Sequence, residues 1–465
     1  MSLAYFIAIP LLAIFLTPLW KNNLRVVSVI VNIALLYVAF SFSSQLPIKE
    51  FIGFDSPLAI TFVLNSVSLF FVSLFIFISL LFSIYNIKEE NNKAHFILLN
   101  SLLVGVFGLV LSYDIFNIYI FFEIVSISGY ILTSLNKDKK AYSGAIKYMI
   151  IGTIASVFIL LAIMLIYLQI GSLNIGVISE QFNTIDEKVQ FLILLSLFIG
   201  FGIKAEIFPL NFWVADIYQA TNTKITSLFS SIVSKSFIFV FFNIVYILDI
   251  HSSYLYFFSI VGIVSFLIAE LSAYGSKDIQ RVFAYSTLGQ LGVVFLAFSY
   301  IHITILSGAI MLIFLHSLTK LMLFLSLDIL KQKFKSTKID IFKKFNSLFL
   351  TIIFSVGFLS LLGIPPFGGF IAKLTILSGL STIGEFVMVG LILLISLIEA
   401  IYLFRIISNI KVDNTIVKEK IEIPFLQKVI LSFLAILIFY FGIYPDVMLE
   451  YSQIIASCML ELKNV

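Results

Sequence analysis

Ten ionisable side chains fall where hydrocarbon would surround them: Glu123, Lys147, Lys204, Glu206, Lys235, Glu270, Lys320, Lys373, Glu399 and Arg405 all lie within long apolar runs. Charges at such depth are costly and ordinarily face a protein interior or a water-filled path, where they carry ions or protons. Lysine suits that work. Burial disfavours its charged form, a nearby carboxylate favours it again, and a small change of geometry then loads or unloads a proton.

Spacing sorts these residues. Lys204 and Glu206 are two apart and point in different directions on a regular helix, so each needs another partner. Pro209 follows at once, and a broken helix beside a buried charge is tolerated where the freed backbone lines a cavity or finds new partners. His316 and Lys320, in HSLTK, share a helix face, and an imidazole one turn from an amine suits a stepwise proton relay. Lys373 closes the stretch GIPPFGGFIAK, in which Pro365 and Pro366 interrupt a second apolar run. A lysine beside a break thus occurs twice, in opposite order, which points to an internal repeat and to a transport site.

Depth adds to this. Lys235 lies nine residues past Thr226, about 14 Å into its run. Glu123 and Glu399 are mid-run, too deep for short carboxylates to reach an interface. Each residue also has a plainer reading. Lys147 and Arg405 can snorkel, Glu206 can be solvated at a helix end, and Glu270 stands near one. Lys204 can form a static ion pair, and Glu123 and His316 can be satisfied bundle residues.

These residues must be positioned by membrane helices. The chain has 465 residues, 61% hydrophobic and 12% charged, about half the usual charged share, with mean hydropathy +1.12. A hydrocarbon core about 30 Å thick needs roughly 20 apolar residues of helix. Such runs occur at 3–19, 25–44, 58–85, 95–113, 115–135, 146–169, 189–208, 226–248, 255–274, 284–300, 303–329, 348–380, 386–409 and 427–449, fourteen in all. The first lacks the charged start and small-residue cleavage site of a signal peptide, so it is read as a membrane helix.

Lysine and arginine placement supports the count. Loops on one side would hold 20 basic residues, from Lys21 and Arg25 through Lys224 to Lys418 and Lys428. The other side and the termini hold only Lys49, Lys188 and Lys463. The positive-inside rule then puts the basic loops in the cytoplasm and both termini outside. This topology also accounts for the net charge of +4 without nucleic acid.

Other chemistry is not signalled. The one cysteine, Cys458, excludes an internal disulfide and a four-cysteine cluster. The four histidines lie far apart, and no glycine-rich phosphate loop occurs. No cofactor, metal or catalytic redox site is expected.

The stretches GFGIKAEIFPLNFWVADIY, SSIVSK, KDIQRVFAYSTLGQLG, HSLTK and GIPPFGGFIAK, spread over residues 110–405, resemble the antiporter-like membrane subunits. That family is shared by respiratory complex I, Mrp-type sodium/proton antiporters and membrane-bound hydrogenases. The resemblance implies an all-α polytopic fold of about 14 helices with two inverted five-helix repeats, each with a discontinuous helix carrying Lys204 or Lys373. It divides the single membrane domain into N-terminal helices (1–94), a first repeat (95–250), a second repeat (251–410) and a C-terminal loop and helix (411–465). By motif position it makes Glu123 the glutamate that modulates Lys204, and Lys235 the bridging lysine. His316 and Lys320 become the second relay, with Lys373 as terminal lysine and Glu399 a hydrogenase-like or Mrp-like feature. Three positions depart from the family pattern. Asn211 stands for a histidine, Val214-Ala215-Asp216 for LPD, and Asn65 near an expected aspartate.

The reading is a proton-translocating subunit of a larger complex in the inner (cytoplasmic) membrane, NADH/quinone oxidoreductase-like or hydrogenase-like. Its expected partners are homologous antiporter-like chains and a peripheral redox arm. The alternatives are a subunit of a Mrp-type sodium/proton antiporter, a stand-alone secondary transporter, and a structural subunit whose charges are static.

Overall fold

The computed structural model describes residues 2–20, 23–53, 60–89, 91–411 and 419–462. Lys21 and Lys418 of the basic loops, and Lys463 of the opposite set, lie outside them. The chain is helical nearly throughout: α1 (Tyr5–Phe15), α2 (Leu24–Phe42), α3 (Ser66–Tyr85), α4 (Lys93–Leu111), α5 (Ile115–Ser134), α6 (Lys139–Ile170), α7 (Ile175–Gln181), α8 (Glu187–Lys204), α9 (Val214–Ala220), α10 (Thr223–Leu228) and α11 (Ser234–Ile247). There follow α12 (Ser252–Gly275), α13 (Ile279–Phe298), α14 (Ile303–Phe334), α15 (Leu348–Leu362), α16 (Gly368–Thr382), α17 (Phe386–Lys411), α18 (Phe425–Ile443) and α19 (Asp446–Leu460). Among the described residues, 11 helices are long and apolar enough to cross a membrane. The other expected spans are the short α1, α8 with its charged ends, and the broken pair α15/α16.

Polar side chains set the helix starts. Asp114 turns the chain sharply from α4 into α5, its carboxylate accepting the backbone N–H groups of Phe116 and Asn117 at 3.0 and 2.9 Å. This resolves the tight join at 113–115. Asn65 caps α3 in a reciprocal capping box with Ser68. The run 58–85 is therefore not one helix. Residues Ile60–Leu64 (β2) pair antiparallel with Ile48–Ile52 (β1), and the helix begins only at Ser66. The last run is also divided, α19 starting afresh after Pro445.

The chain forms two compact units. The first comprises the described residues through Glu206 together with Ile232–Tyr254 and the segment from Ser457. Its tightest packing joins α4 to α5 and α6 to α8. The second comprises Ile207–Ser231 and Leu255–Ala456, and is built around α14, which packs on α10, α13, α15, α16 and α18. Outward faces are apolar: Ile150, Leu161 and Leu168 on α6, and Leu394, Leu397 and Ile401 on α17, are exposed. Faces of this kind are solvated by lipid.

Candidate proton-carrying residues

In the first unit Lys204 is the last residue of α8, where cations suit the helix dipole. Ala205 closes the helix through a bond to Phe201 O. Glu206 then takes a left-handed backbone, φ 65°, which a side chain adopts only under local constraint. The interruption at Pro209 expected from sequence separates α8 from α9. Lys204 is buried, and its ammonium donates to the Tyr130 hydroxyl at 3.0 Å. It also lies 4.5, 4.7 and 5.6 Å from the ring centroids of Tyr148, Tyr130 and Phe122. Within about 6 Å, ring faces attract a cation. Lys204 thus sits in an aromatic cage and makes no direct ion pair with Glu123 among the described residues. The half-buried Glu123 carboxylate instead accepts the Ser156 hydroxyl, which also donates to Gly152 O. Glu123 and Tyr130 are two turns apart on α5, so the carboxylate and the lysine's bonding partner share one helix face.

Gly152 makes this approach possible. A Cβ there would meet the Tyr130 hydroxyl and lie 2.8 Å from Lys204 Nζ. Gly152→Ala is expected to displace the lysine and destabilise the unit by about 1–3 kcal/mol. Gly390→Ala on α17, where nothing lies within 4 Å of the new carbon, should not lower the melting temperature and is expected to raise it slightly. Thermal unfolding of the two variants checks this.

Lys235 is buried on α11, immediately after a π-helical turn at Phe229–Val233. Such turns leave spare backbone groups. Here the Ser231 carbonyl is taken by the Ser317 hydroxyl at 2.9 Å, and the Ser231 hydroxyl donates in return to Ser317 O at 3.0 Å.

In the second unit α15 ends at Gly363, φ 78°, ahead of the two prolines. Its last carbonyls need donors. Lys373 reaches back from α16 to supply them, its ammonium 2.7 Å from Leu361 O and 3.3 Å from Leu362 O. The same ammonium pairs with Glu399 at 2.9 Å, and Gln290 donates to the other Glu399 oxygen at 2.9 Å. One helical turn from Glu399, the Tyr402 hydroxyl donates to Glu270 at 2.8 Å. Lys320 donates to Phe283 O at 3.0 Å and to Ser286. His316, Lys320, Glu270 and Glu399 are all buried.

Of the ten deep charges singled out from sequence, Lys204, Glu206, Lys235, Glu270, Lys320, Lys373 and Glu399 are buried and Glu123 is half-buried, and in the second unit several converge. Lys147 and Arg405 are exposed, Arg405 donating to Tyr274 O at 3.2 Å. Glu206 is buried instead of solvated. Lys224, placed in a solvent loop from sequence, is buried at the start of α10 because Asp328 pairs with it at 3.5 Å. Sequence reasoning missed Tyr130, Tyr148, Ser156, Gln290, Tyr402 and Asp328. Tyr130 could have been found seven residues beyond Glu123, and Asp328 as the one acid in α14.

The family described as NADH:quinone oxidoreductase/Mrp antiporter, TM, matches residues 112–399. A Staphylococcus saprophyticus protein named as antiporter subunit mnhD2 is 28% identical over 441 residues, covering 91% of this chain and 86% of its own. Among solved structures, a chain of the membrane-bound sulfane sulfur reductase, an archaeal respiratory membrane complex, superposes with TM-score 0.93 at 29% identity, covering 99% of this chain and 98% of its own. A chain of the Mrp complex from Dietzia sp. DQ12-45-1b superposes with TM-score 0.89 at 19% identity, covering 99% and 97%. A chain of respiratory complex I from Thermus thermophilus does so with TM-score 0.81 at 19% identity, covering 97% and 99%. The fold is that of a polytopic, antiporter-like membrane subunit.

Proposed function

This chain belongs to the NADH:quinone oxidoreductase/Mrp antiporter transmembrane family, and on that premise we propose that it moves protons across the membrane through buried charges in each of its two units. In the first unit Glu123 modulates the proton affinity of Lys204, and Lys235 continues the path. In the second, His316 and Lys320 relay to Lys373 and Glu399. Glu206 and Glu270 are secondary groups, and Lys147, being exposed, stands at the margin. The observation that carries this reading is the pairing of a buried lysine with an interrupted helix in both units, each ammonium held by neutral groups or a single carboxylate. Such a lysine can lose and regain a proton without rearranging the fold.

The repeats are assigned to residues 95–250 and 251–410. The basic loops favour a cytoplasmic placement with both termini outside, in the inner (cytoplasmic) membrane. The chain performs no redox step in this reading. Its energy comes from partner subunits, homologous antiporter-like chains among them. The sulfane sulfur reductase likeness favours an electron-driven complex with a redox arm, and the relative's antiporter name favours a sodium/proton exchanger.

Purification of the tagged chain from native membranes, with identification of partners by mass spectrometry, tests the reading. Iron–sulfur subunits would make it part of an electron-driven pump, and small hydrophobic subunits alone part of an exchanger. A chain that came down alone and transported by itself in liposomes would overturn the subunit reading.

A further inference from the structure

The long helix α14 carries more than His316 and Lys320. Phe324 and Asp328 follow at four-residue intervals, so each residue lies one turn from the last along a stripe that winds slowly round the helix. Asp328 lies about 12 Å along the axis from Lys320. It is buried, yet Gln332 and Lys333 one turn further on are exposed, so solvent begins just past it.

Asp328 is built into a polar collar. Lys224, at the start of α10, pairs with it at 3.5 Å, and Gln332 donates to it at 2.6 Å. Beside them Lys331 donates to Gln280 at 3.1 Å, and Gln280 donates in turn to Thr221 O at 3.1 Å. Between this collar and Lys320 stands a layer of rings. Phe324 meets Phe283 edge-on at 5.4 Å and Tyr218 at 6.0 Å. Phe283 faces both ways, its ring to Phe324 and its carbonyl to the Lys320 ammonium.

A buried acid one turn from solvent, following Lys320 along the same helix and separated from it by the packed rings of Phe324, Phe283 and Tyr218, has the form of a gated uptake site. We propose that Asp328, held by Lys224 beneath Phe324, takes up protons from solvent and loads them onto Lys320. This rests on the proton-translocating reading above. In the step, the Asp328 carboxylate accepts a proton from solvent and its pairing with Lys224 loosens. When Phe324 turns aside, the carboxylic acid passes that proton through water to a neutral Lys320 amine. The carboxylate is regenerated and recaptures Lys224. The competing role is a static clamp between α10 and α14.

Two measurements on the intact complex separate these roles. In proteoliposomes, Asp328→Asn is expected to lower proton transport at least tenfold and Asp328→Glu to restore most of it. Wild-type transport by Asp328→Asn would overturn the assignment. So would recovery of transport in the double variant Asp328→Asn/Lys224→Met, the behaviour of a clamp. The second measurement needs no transport. In a Cys458→Ser background, thiols introduced by Asp328→Cys or Ser286→Cys are exposed to a small charged methanethiosulfonate from the Gln332 side. Labelling is expected at 328 and not at 286, with 286 becoming reactive when Phe324→Ala is added. No labelling at 328, or equal labelling at both positions with Phe324 intact, would overturn the gated site. Undiminished transport by Lys204→Met together with the expected labelling would count against the general reading and leave the solvent-facing geometry standing.

Discussion

Lys204→Met should reduce proton transport by the intact complex more than tenfold while leaving its assembly unchanged. Methionine keeps the length and apolar stem of lysine, so the cage of Phe122, Tyr130 and Tyr148 remains filled. What disappears is the one group there that can carry a proton as a base. Lys204→Arg should fail as well, because a guanidinium stays protonated and its planar fork does not fit a pocket shaped for a compact ammonium. A milder change separates the bond from the ring: Tyr130→Phe keeps the ring near the ammonium and removes its hydrogen-bonding partner. Transport should fall several-fold and not vanish. Dye-quenching assays in vesicles, with subunit content checked by native gels, measure all three.

The second large effect concerns Lys373 and Glu399. Their ion pair is buried, with Gln290 and two helix-end carbonyls completing the site. Removing one member of such a pair leaves the other charge uncompensated, at a cost of about 3–5 kcal/mol, whereas removing both is far gentler. Glu399→Gln and Lys373→Met are each expected to lower the melting temperature of the detergent-purified complex strongly. The double variant should recover most of the loss, and all three should be inactive in transport. Additive destabilisation in the double variant would show that the two residues act separately.

The membrane architecture was legible from sequence because apolar runs of helical length, checked by lysine and arginine placement, leave little freedom. The β1–β2 hairpin was not. Its second strand, ITFVL, opens a longer apolar run, and in uniformly apolar sequence periodicity cannot separate strand from helix. Likewise the deep charges declared themselves by type, since a charge in hydrocarbon is too costly to stand there without a protein partner or a polar path. Their neutral partners did not. Tyr130, Tyr148 and Tyr402 read as ordinary aromatic residues of a membrane chain, and Gln290 meets Glu399 from 109 residues away. Lys224 was hidden for a different reason. It follows a polar turn and looked solvated, and only the folded position of Asp328 reveals it as buried.

Proton flux through the intact complex in proteoliposomes, measured with Lys204→Met and Lys320→Met introduced separately and then together, tests the central claim most directly. If buried charges in both units carry the protons along one path, each single substitution lowers flux more than tenfold and the double variant adds little further. Flux at the wild-type level in the double variant, with the complex assembled, would contradict the account and leave these charges as fixed parts of the bundle.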